Sequence, residues 1–181
     1  MIEEARLKDT PAGLEPAGGG WFVVNVRDTA WITHDAFGAG CVFESREAAP
    51  FPELGINIGV LQPGQPVCLY HEEDAQEDFL VLAGEALLLV NGEERPLRTW
   101  DFFHCPAGTE HVIVGAGNGP AVVLAVGARP DPERLRYPAS ELAARYGASA
   151  EQETPDPREA YARFERPQPG RPDYWDELPW A

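Results

Sequence analysis

The amino-acid sequence predicts an all-β fold, a barrel or sandwich of short strands that ends in a short helical extension. Eighteen glycines and eighteen prolines are scattered along the chain, which is typical of many turns between short elements. Roughly ten β-rich runs follow one another between Trp21 and Ala128, at the spacing expected of a barrel or sandwich. We therefore expect a β-domain over residues 21–128, flanked by a lead-in over residues 1–20 and an extension over residues 129–181.

The predicted strands are runs rich in β-branched and aromatic residues, separated by glycine, proline or charged segments. The dipeptide Asn91-Gly92 lies between two of them and predicts a tight hairpin, because both residues tolerate a positive φ. Further turns are expected at PAG and NGP. In chain order the runs are WFVVNV, GCVFE, GINIGVL, PVCLY, FLVLA, ALLLV, RPLRTWDFFHC, HVIVGAG and AVVLAVGA.

The extension over residues 129–181 contains two helix candidates. The first runs from about residue 139 to 146 and is stopped by Gly147. The second lies in TPDPREAYARFER, where Asp156 is a suitable N-cap and the proline after it fits the first turn. Both candidates are short, so the extension adds little helix to an otherwise β-rich chain.

The two ends of the chain are expected to behave differently. Residues 1–20 are polar and contain PAGLEPAGGG, which predicts a flexible lead-in. The C-terminal tail is too rich in proline for regular structure, yet it carries Tyr174, Trp175 and Trp180, which are costly to expose to water. We expect this tail to pack along the barrel or across a subunit boundary.

Charge and cysteine content restrict the partners and the compartment. The formal net charge is −16 at pH 7, and without a basic stripe the chain is not expected to bind nucleic acid or an anionic membrane. The apolar runs are too short to span a bilayer, and the N-terminus lacks a signal-peptide pattern. Cys41, Cys68 and Cys105 are odd in number and form no CxxC pair, which fits reduced thiols. The sequence therefore predicts a soluble cytoplasmic protein.

The stretch YHEEDAQEDFLVLAGE, residues 70–85, places a histidine and five carboxylates directly before an apolar run. Alternate residues of an extended chain project to the same face. One face would carry His71, Glu73 and Glu77. The same face would continue into the barrel interior with Phe79, Val81 and Ala83. The opposite, solvated face would carry Glu72, Asp74 and Asp78. A turn within EEDAQ would break this alternation, so periodicity gives the inward-facing acids modest support.

Two segments together resemble the motifs of the cupin superfamily, G-x5-H-x-H-x3–4-E-x6-G and G-x5-P-x-G-x2-H-x3-N. The second segment, WDFFHCPAGTEHVIVG, matches at Pro106, Gly108 and His111. In the first, Glu77 and Gly84 keep the six-residue separation, and LVLAGEALLLVNGEE looks like the hairpin between the motifs. The resemblance covers roughly residues 55–128 and implies a cupin-type β-barrel, or jelly roll.

The histidine pair of the first motif is incomplete, and two registers are open. Aligned backward from Glu77, His71 takes the first histidine place and Glu73 the second. Aligned from Gly64, His71 falls nearer the second place, with Leu69 where the first would be. Both registers keep His71. We prefer the first, because it allows a set of four ligands.

The resemblance implies that His71, Glu73, Glu77 and His111 bind a metal ion inside the barrel. Two imidazoles and one carboxylate form the set that holds Fe(II) with open positions, and the same set suits Mn, Ni or Zn. Glu73 would add a second hard ligand, although it also fits a solvated loop acid. The identity of the divalent transition metal stays open, and an incomplete histidine pair is also how loss of the metal would appear.

Other residues near the motifs are given structural roles. Trp100 replaces the leading glycine of the second motif and is read either as a wall near the barrel mouth or as ordinary core. Gly115 replaces the closing asparagine. His104 is read as a packing residue or a partner of a ligand, and His34 as a loop histidine. Cys68 and Cys105 are read as small buried hydrophobes, because no motif places a base beside either.

Three functions fit these observations. The first is a metal-dependent enzyme acting on a small polar metabolite, with dioxygenase-, decarboxylase- or isomerase-type chemistry. The second is a non-catalytic module that binds a small molecule. The third is a metal-free isomerase or epimerase with a histidine base, which would need a basic patch for phosphates that the acidic balance disfavours. The sequence assigns no catalytic residue. Pairing into a homodimer is expected, since cupins commonly pair and the aromatic tail offers a clasp.

Overall fold

A computed structural model describes residues 1–45, 51–132 and 134–180, and within these ranges antiparallel strands dominate. The predicted all-β fold is confirmed, and the two α-helices described both lie in the C-terminal extension. The helices are α1 (Glu141–Ala144) and α2 (Pro157–Ala160), and a 3-10 turn spans Trp175–Glu177. The strands are β1 (Arg6–Thr10), β2 (Gly13–Ala17), β3 (Ala30–His34), β4 (Gly38–Val42), β5 (Leu54–Leu61), β6 (Glu72–Glu73), β7 (Glu77–Ala83), β8 (Glu85–Val90), β9 (Glu93–Arg98), β10 (Phe102–Cys105), β11 (His111–Ala116), β12 (Ala121–Ala128), β13 (Leu135–Arg136) and β14 (Gln168–Pro169).

Two antiparallel sheets form the barrel. The larger has seven strands in the order β10-β7-β12-β5-β4-β3-β14, and the smaller has three in the order β11-β8-β9. One apolar cluster between them takes side chains from both sheets, including Phe79 and Val123 from the larger and Leu88 and Ile113 from the smaller. Burial of this shared cluster stabilises the closed arrangement, because each sheet has an apolar face to remove from water.

The hairpin predicted at Asn91-Gly92 is confirmed. Val90 pairs with Glu93, so Asn91 and Gly92 alone connect β8 to β9. Their φ angles are 47° and 80°, and a two-residue turn of this kind matches the twist of the flanking strands.

Strand β7 shows the predicted alternation along most of its length. Phe79 and Val81 face the barrel interior. Ala83 does not, contrary to expectation, because the pairing of β12 with β7 shifts register between Val122 and Val123. The shift places Ala83 beside Val122, in the apolar cluster on the outer face of the sheet.

The outer face of the larger sheet is covered by the aromatic tail. Trp31 on β3 is fully buried there, and its indole N–H donates to the Val26 carbonyl at 2.9 Å. The Trp175 and Trp180 rings lie 5.1 and 5.5 Å from its ring. Leu178 from the same tail is also buried in this cluster. The tail therefore acts as a third layer on the barrel.

The predicted helices form where the capping residues indicate. The Ser140 side chain caps α1 by accepting from Ala143 N, and Gly147 follows the helix with a φ of 68°. Asp156 caps α2 by accepting from Arg158 N, with Pro157 in the first turn. Helix α1 buries Ala143 against the outer face of the smaller sheet.

Three local predictions are wrong. Residues 1–20 contain the hairpin β1–β2, whose strands satisfy each other's backbone groups and dock through Trp31 N to the Ala12 carbonyl. WFVVNV forms no strand, since only Trp21 makes an isolated bridge and Asn25 begins a turn. PVCLY also forms no strand, because it meets the smaller sheet through single bridges such as that of Pro66 with Val114.

Within the described ranges, no helix is long and apolar enough to cross a bilayer.

Candidate metal centre

A cavity of about 870 Å³ opens inside the barrel, and three of the predicted ligands line it. His71, Glu77 and His111 form its polar end, while most other lining residues are apolar. The imidazole nitrogens and the carboxylate oxygen of these three residues lie within 4.8 Å of one another. The structure thus brings together residues from the two motif segments.

The two histidines are held side by side by the backbone. His71 N donates to the His111 carbonyl at 3.1 Å, and His111 N donates to the His71 carbonyl at 2.8 Å. This reciprocal bridge places the ring centroids 4.8 Å apart. His111 begins β11 directly after a turn in which Gly108 has a φ of 77°, so the PAG motif sets the start of this strand.

The ring orientation of each histidine is set by a backbone carbonyl. His71 Nδ1 lies 2.8 Å from the Leu69 carbonyl, and His111 Nδ1 lies 3.0 Å from the Thr109 carbonyl. A carbonyl oxygen can only accept, so each Nδ1 carries the hydrogen in these contacts. The Nε2 lone pairs are then available on the cavity side, which is the arrangement found in metal-binding histidines.

The donor atoms converge without satisfying one another. Glu77 Oε2 is 3.1 Å from His111 Nε2 and 3.7 Å from His71 Nε2. Despite the short approach, Glu77 Oε2 and His111 Nε2 are buried and have no aligned hydrogen-bond partner among the described residues. Buried polar atoms left in this state are unfavourable by about 1–3 kcal/mol each. A divalent cation between them would satisfy these lone pairs, so the residues present fit a metal.

The electrostatics of the centre favour a carboxylate between two imidazoles. Burial raises the pKa of Glu77, but the neighbouring His111 and His71 outweigh it and lower the pKa to about 2. Burial lowers the pKa of His111, but Cys105 and Glu77 outweigh it and raise the pKa to about 9. Burial also lowers the pKa of His71, but Cys68, Glu73 and Glu77 outweigh this effect and hold the pKa well above its usual range. Protons therefore compete for the positions that a metal would take.

Glu73 lies beside this group and not within it. Its Oε1 is 3.4 Å from His71 Nε2, and its side chain is partly buried. It neither belongs to the cluster of mutually close donor atoms nor lines the cavity. The chain bends at Asp74 and Ala75, yet residues 71, 73 and 77 still meet on one side. The four-ligand set stays a prediction.

The remaining motif residues have different roles from those expected. Trp100 is 70% exposed, so it is neither core nor a wall of the cavity. Its φ of 75° explains why a glycine would suit this place. Gly115 packs so tightly that an added Cβ would lie 2.3 Å from the Gln62 carbonyl. His104 is exposed and bonds to Asp78 at 2.7 Å, away from the centre.

Sequence reasoning missed the wall of the cavity that the C-terminal extension supplies. Tyr161 and Phe164 line the cavity opposite the barrel strands, and Phe37 from the β3–β4 turn packs against both rings at 5.4 and 4.7 Å. The Tyr161 hydroxyl accepts a hydrogen bond from Leu69 N at 3.0 Å. Leu69 also supplies the carbonyl that orients His71. No local pattern in the sequence places these rings together, because they are far apart in the chain.

Comparisons with known proteins agree with this geometry. Residues 57–127 match the family model of the cupin domain. The matched segment is less than half of the chain. No curated protein matches the sequence. A sugar phosphate isomerase of the cupin superfamily from Silicibacter pomeroyi is 22% identical, with 67% of this chain and 88% of that chain covered and a TM-score of 0.54. This likeness is one of fold.

Two further structures are similar over shorter spans. A predicted oxalate decarboxylase from Thermotoga maritima is 25% identical, with 59% of this chain and 97% of that chain covered and a TM-score of 0.49. A protein from Acidithiobacillus ferrooxidans, provisionally described as a sugar phosphate isomerase, is 27% identical, with 46% of this chain covered and a TM-score of 0.43. The chain spans about half of that protein, namely 54%.

The fold and the family match define the class as a cupin-type β-barrel. Residues 57–127 are the part of the chain that matches the cupin domain, and the barrel fold extends on both sides of this segment.

Proposed function

We propose that this protein is a metal-dependent cupin that binds a divalent transition metal through His71, Glu77 and His111, with Glu73 as the fourth ligand. The observation that carries the proposal is the pair of buried atoms Glu77 Oε2 and His111 Nε2, which lie 3.1 Å apart without an aligned hydrogen bond and form one cluster of donor atoms with His71. When bound, such a metal supplies Lewis-acid or oxygen-activating chemistry, and Fe, Mn, Zn and Ni all suit the donor set.

The residues of the chain would contribute in three ways. The Leu69 and Thr109 carbonyls hold the two imidazoles with Nε2 toward the cavity. The apolar lining excludes water from the polar end, which strengthens electrostatic interactions with a bound molecule. The cavity of about 870 Å³ matches the size of small-molecule sites. We infer that the protein acts on a small polar metabolite, by dioxygenase-, decarboxylase- or isomerase-type chemistry.

A second candidate is a small-molecule-binding cupin without a functional metal. The 3.1 Å approach of Glu77 to His111 favours it, because a carboxylate beside a protonated imidazole is already neutralised. In this case the three residues would form a buried ion pair, and the cavity would bind its ligand without an open coordination position.

Metal analysis separates the two candidates. Metal content is measured by plasma mass spectrometry on untagged protein, before and after reconstitution with Fe(II), Mn(II), Ni(II) and Zn(II). We expect close to one metal per chain in the wild type and in His104→Ala, and loss of the metal in His71→Ala and His111→Ala. His104→Ala is the matched control, because this histidine is exposed and outside the centre. A wild type that takes up no metal would refute the metalloenzyme and leave the second candidate.

We also propose that the protein is a cytoplasmic homodimer with no nucleic-acid or membrane partner. Phe102 on the edge strand β10 and the nearby Trp100 are 63% and 70% exposed, and exposed aromatic groups beside a sheet edge favour association. Light scattering after size exclusion should give twice the monomer mass for the wild type and the monomer mass for Trp100→Ser/Phe102→Ser. A monomeric wild type would contradict the pairing.

A further inference from the structure

The C-terminal extension contributes two exposed arginines to the lining of the cavity. Arg158 in α2 and Arg166 beyond it both line the cavity, on the wall that also carries Tyr161 and Phe164. Both positions lie outside the cupin domain over residues 57–127. The extension therefore contributes positive charge to the cavity that also contains the candidate metal centre.

The segment that carries Arg166 is fastened to the barrel by contacts before and after this residue. His34 Nε2 bonds to the Glu165 carbonyl at 2.8 Å, and its Nδ1 accepts from Ala36 N at 3.0 Å, which fixes the tautomer with the hydrogen on Nε2. Three residues after Glu165, the chain pairs with β3 through Gln168 and Thr33. His34, expected to be a plain loop histidine, thus ends a strand and anchors the segment next to Arg166.

Among the residues that the structure describes, neither guanidinium has an acidic partner. Arg129, Arg136 and Arg163 each form ion pairs, whereas within the described part of the chain no carboxylate lies within 4.0 Å of the Arg158 or Arg166 guanidinium. This is notable because the chain has 30 acidic residues against 14 basic ones. The Asp156 carboxylate, near Arg158 in sequence, is engaged in capping α2 through the Arg158 backbone N–H.

The charges that line the cavity add up in favour of an anion. Its acidic lining residues are Glu77, which belongs to the metal centre, and Glu165 beside Arg166. Two arginines and a divalent cation outweigh these two carboxylates. A guanidinium binds carboxylate or phosphate through paired N–H donors, which makes arginine suited to both anions. The aromatic wall between the two ends offers contact to an apolar body.

We propose that the cavity takes a small organic anion, a carboxylate or phosphate with an apolar body, whose charged group is held by Arg158 and Arg166. The body then lies along Phe37, Tyr161 and Phe164, with its far end toward His71, Glu77 and His111. The part of the proposal that concerns the far end rests on the proposed metal function, whereas the anion subsite does not. The overall net charge of −16 leaves room for this local positive patch, which the composition alone disfavours.

The test uses benzoate and phenyl phosphate as anionic probes and benzamide as the neutral match of benzoate. Binding is measured by calorimetry on the full chain, both chelator-treated and loaded with Mn(II). The variant Arg158→Ala/Arg166→Ala removes the subsite. The control Arg95→Ala/Arg98→Ala removes the same charge from two exposed positions on β9, which does not line the cavity. Thermal unfolding confirms that both double variants fold.

We expect at least one anionic probe to bind more tightly than benzamide, in both the chelator-treated and the Mn(II)-loaded protein. The subsite variant should bind that probe at least about tenfold more weakly, since each lost charge-assisted hydrogen bond has an effect of this order. The control should match the wild type, and added NaCl should weaken binding of the anion but not of benzamide. Which of benzoate and phenyl phosphate binds identifies the anion.

Two outcomes would overturn the anion subsite. One is equal binding of anionic and neutral probes by the wild type, and the other is equal loss of binding in the subsite and control variants. Failure of the metal function gives a different pattern, in which the chelator-treated protein keeps anion binding while Mn(II) neither binds nor changes it.

Discussion

Replacement of Glu77 by Gln tests the electrostatics of the candidate centre. The change keeps the shape of the side chain but removes the charge that lies 3.1 Å from His111 Nε2. In the metal-free wild type, Glu77 contributes to raising the pKa of His111 to about 9, so this imidazole is protonated at neutral pH. Without the carboxylate, we expect the buried imidazole to stay neutral.

The sign of the pH dependence follows from the two shifts. A His111 pKa raised from 6.5 to about 9 adds stability that is complete below pH 6.5 and is lost as pH rises through about 9. At about 1.4 kcal/mol for each unit of pKa shift, the rise in the His111 pKa corresponds to about 3 kcal/mol of unfolding free energy. A Glu77 pKa lowered from 4.5 to about 2 adds stability that is complete above pH 4.5 and is lost as pH falls through about 2. The metal-free protein should therefore be most stable between pH 4.5 and 6.5.

The assay is urea unfolding of chelator-treated protein, followed by tryptophan fluorescence at several pH values from 6 to 10. The wild type should lose about 3 kcal/mol of unfolding free energy across this range, and Glu77→Gln much less. His104→Ala, which changes an exposed histidine, should keep the wild-type slope. Metal affinity should show the opposite trend and increase with pH, because the metal displaces the same protons. Equal slopes for wild type and Glu77→Gln would refute the reasoning.

Three further predictions concern the supports of the centre and the fold. Gly84→Ala should destabilise the fold more than Gly92→Ala. Both glycines have a positive φ, but only at Gly84 would the new Cβ lie 2.5 Å from a backbone oxygen. In denaturant unfolding, Gly92→Ala should lower the free energy of unfolding by about 1 kcal/mol, and Gly84→Ala by more. Tyr161→Phe should weaken metal binding about tenfold, as measured by competition with a chelator. The change removes the hydroxyl that accepts a hydrogen bond from Leu69 N, near His71. Unchanged metal affinity would contradict this role. Trp31→Ala should lower the free energy of unfolding by about 3–5 kcal/mol, because this fully buried ring is the centre of the layer formed with the tail.

Local patterns in the sequence predict much of the fold correctly. The Asn91-Gly92 turn, the Asp156 cap and the alternation of Phe79 and Val81 each depend on neighbouring residues alone. WFVVNV has the same local character as a strand, yet it forms none, because a strand also needs a partner to receive its backbone hydrogen bonds. Ala83 leaves the interior for a related reason, since the register shift in its pairing strand is not encoded near it.

For the candidate centre, motif spacing predicts that His71, Glu77 and His111 come together, and the structure places them within 4.8 Å. The alternation of residues along the strand does not decide the role of Glu73. A side chain can lie on the same face as a site and still contact only its edge, as Glu73 does at His71. Trp100 shows a similar limit. Its positive φ depends on the turn, and its exposure depends on which elements happen to cover the turn.

Periodicity and turn chemistry in the sequence are enough to predict the all-β class, the hairpin and the helix caps. The motif resemblance adds the prediction that the two histidines and the carboxylate bind a metal. Only the tertiary structure reveals the cavity wall, where Tyr161 contacts Leu69 across 92 positions and the Glu165 carbonyl bonds to His34. Contacts of this range depend on how the extension folds back over the barrel. The extension folds back because its aromatic residues are buried together with Trp31 on the outer face of the larger sheet. These residues are far apart in the chain, so no short segment of the sequence predicts their contact.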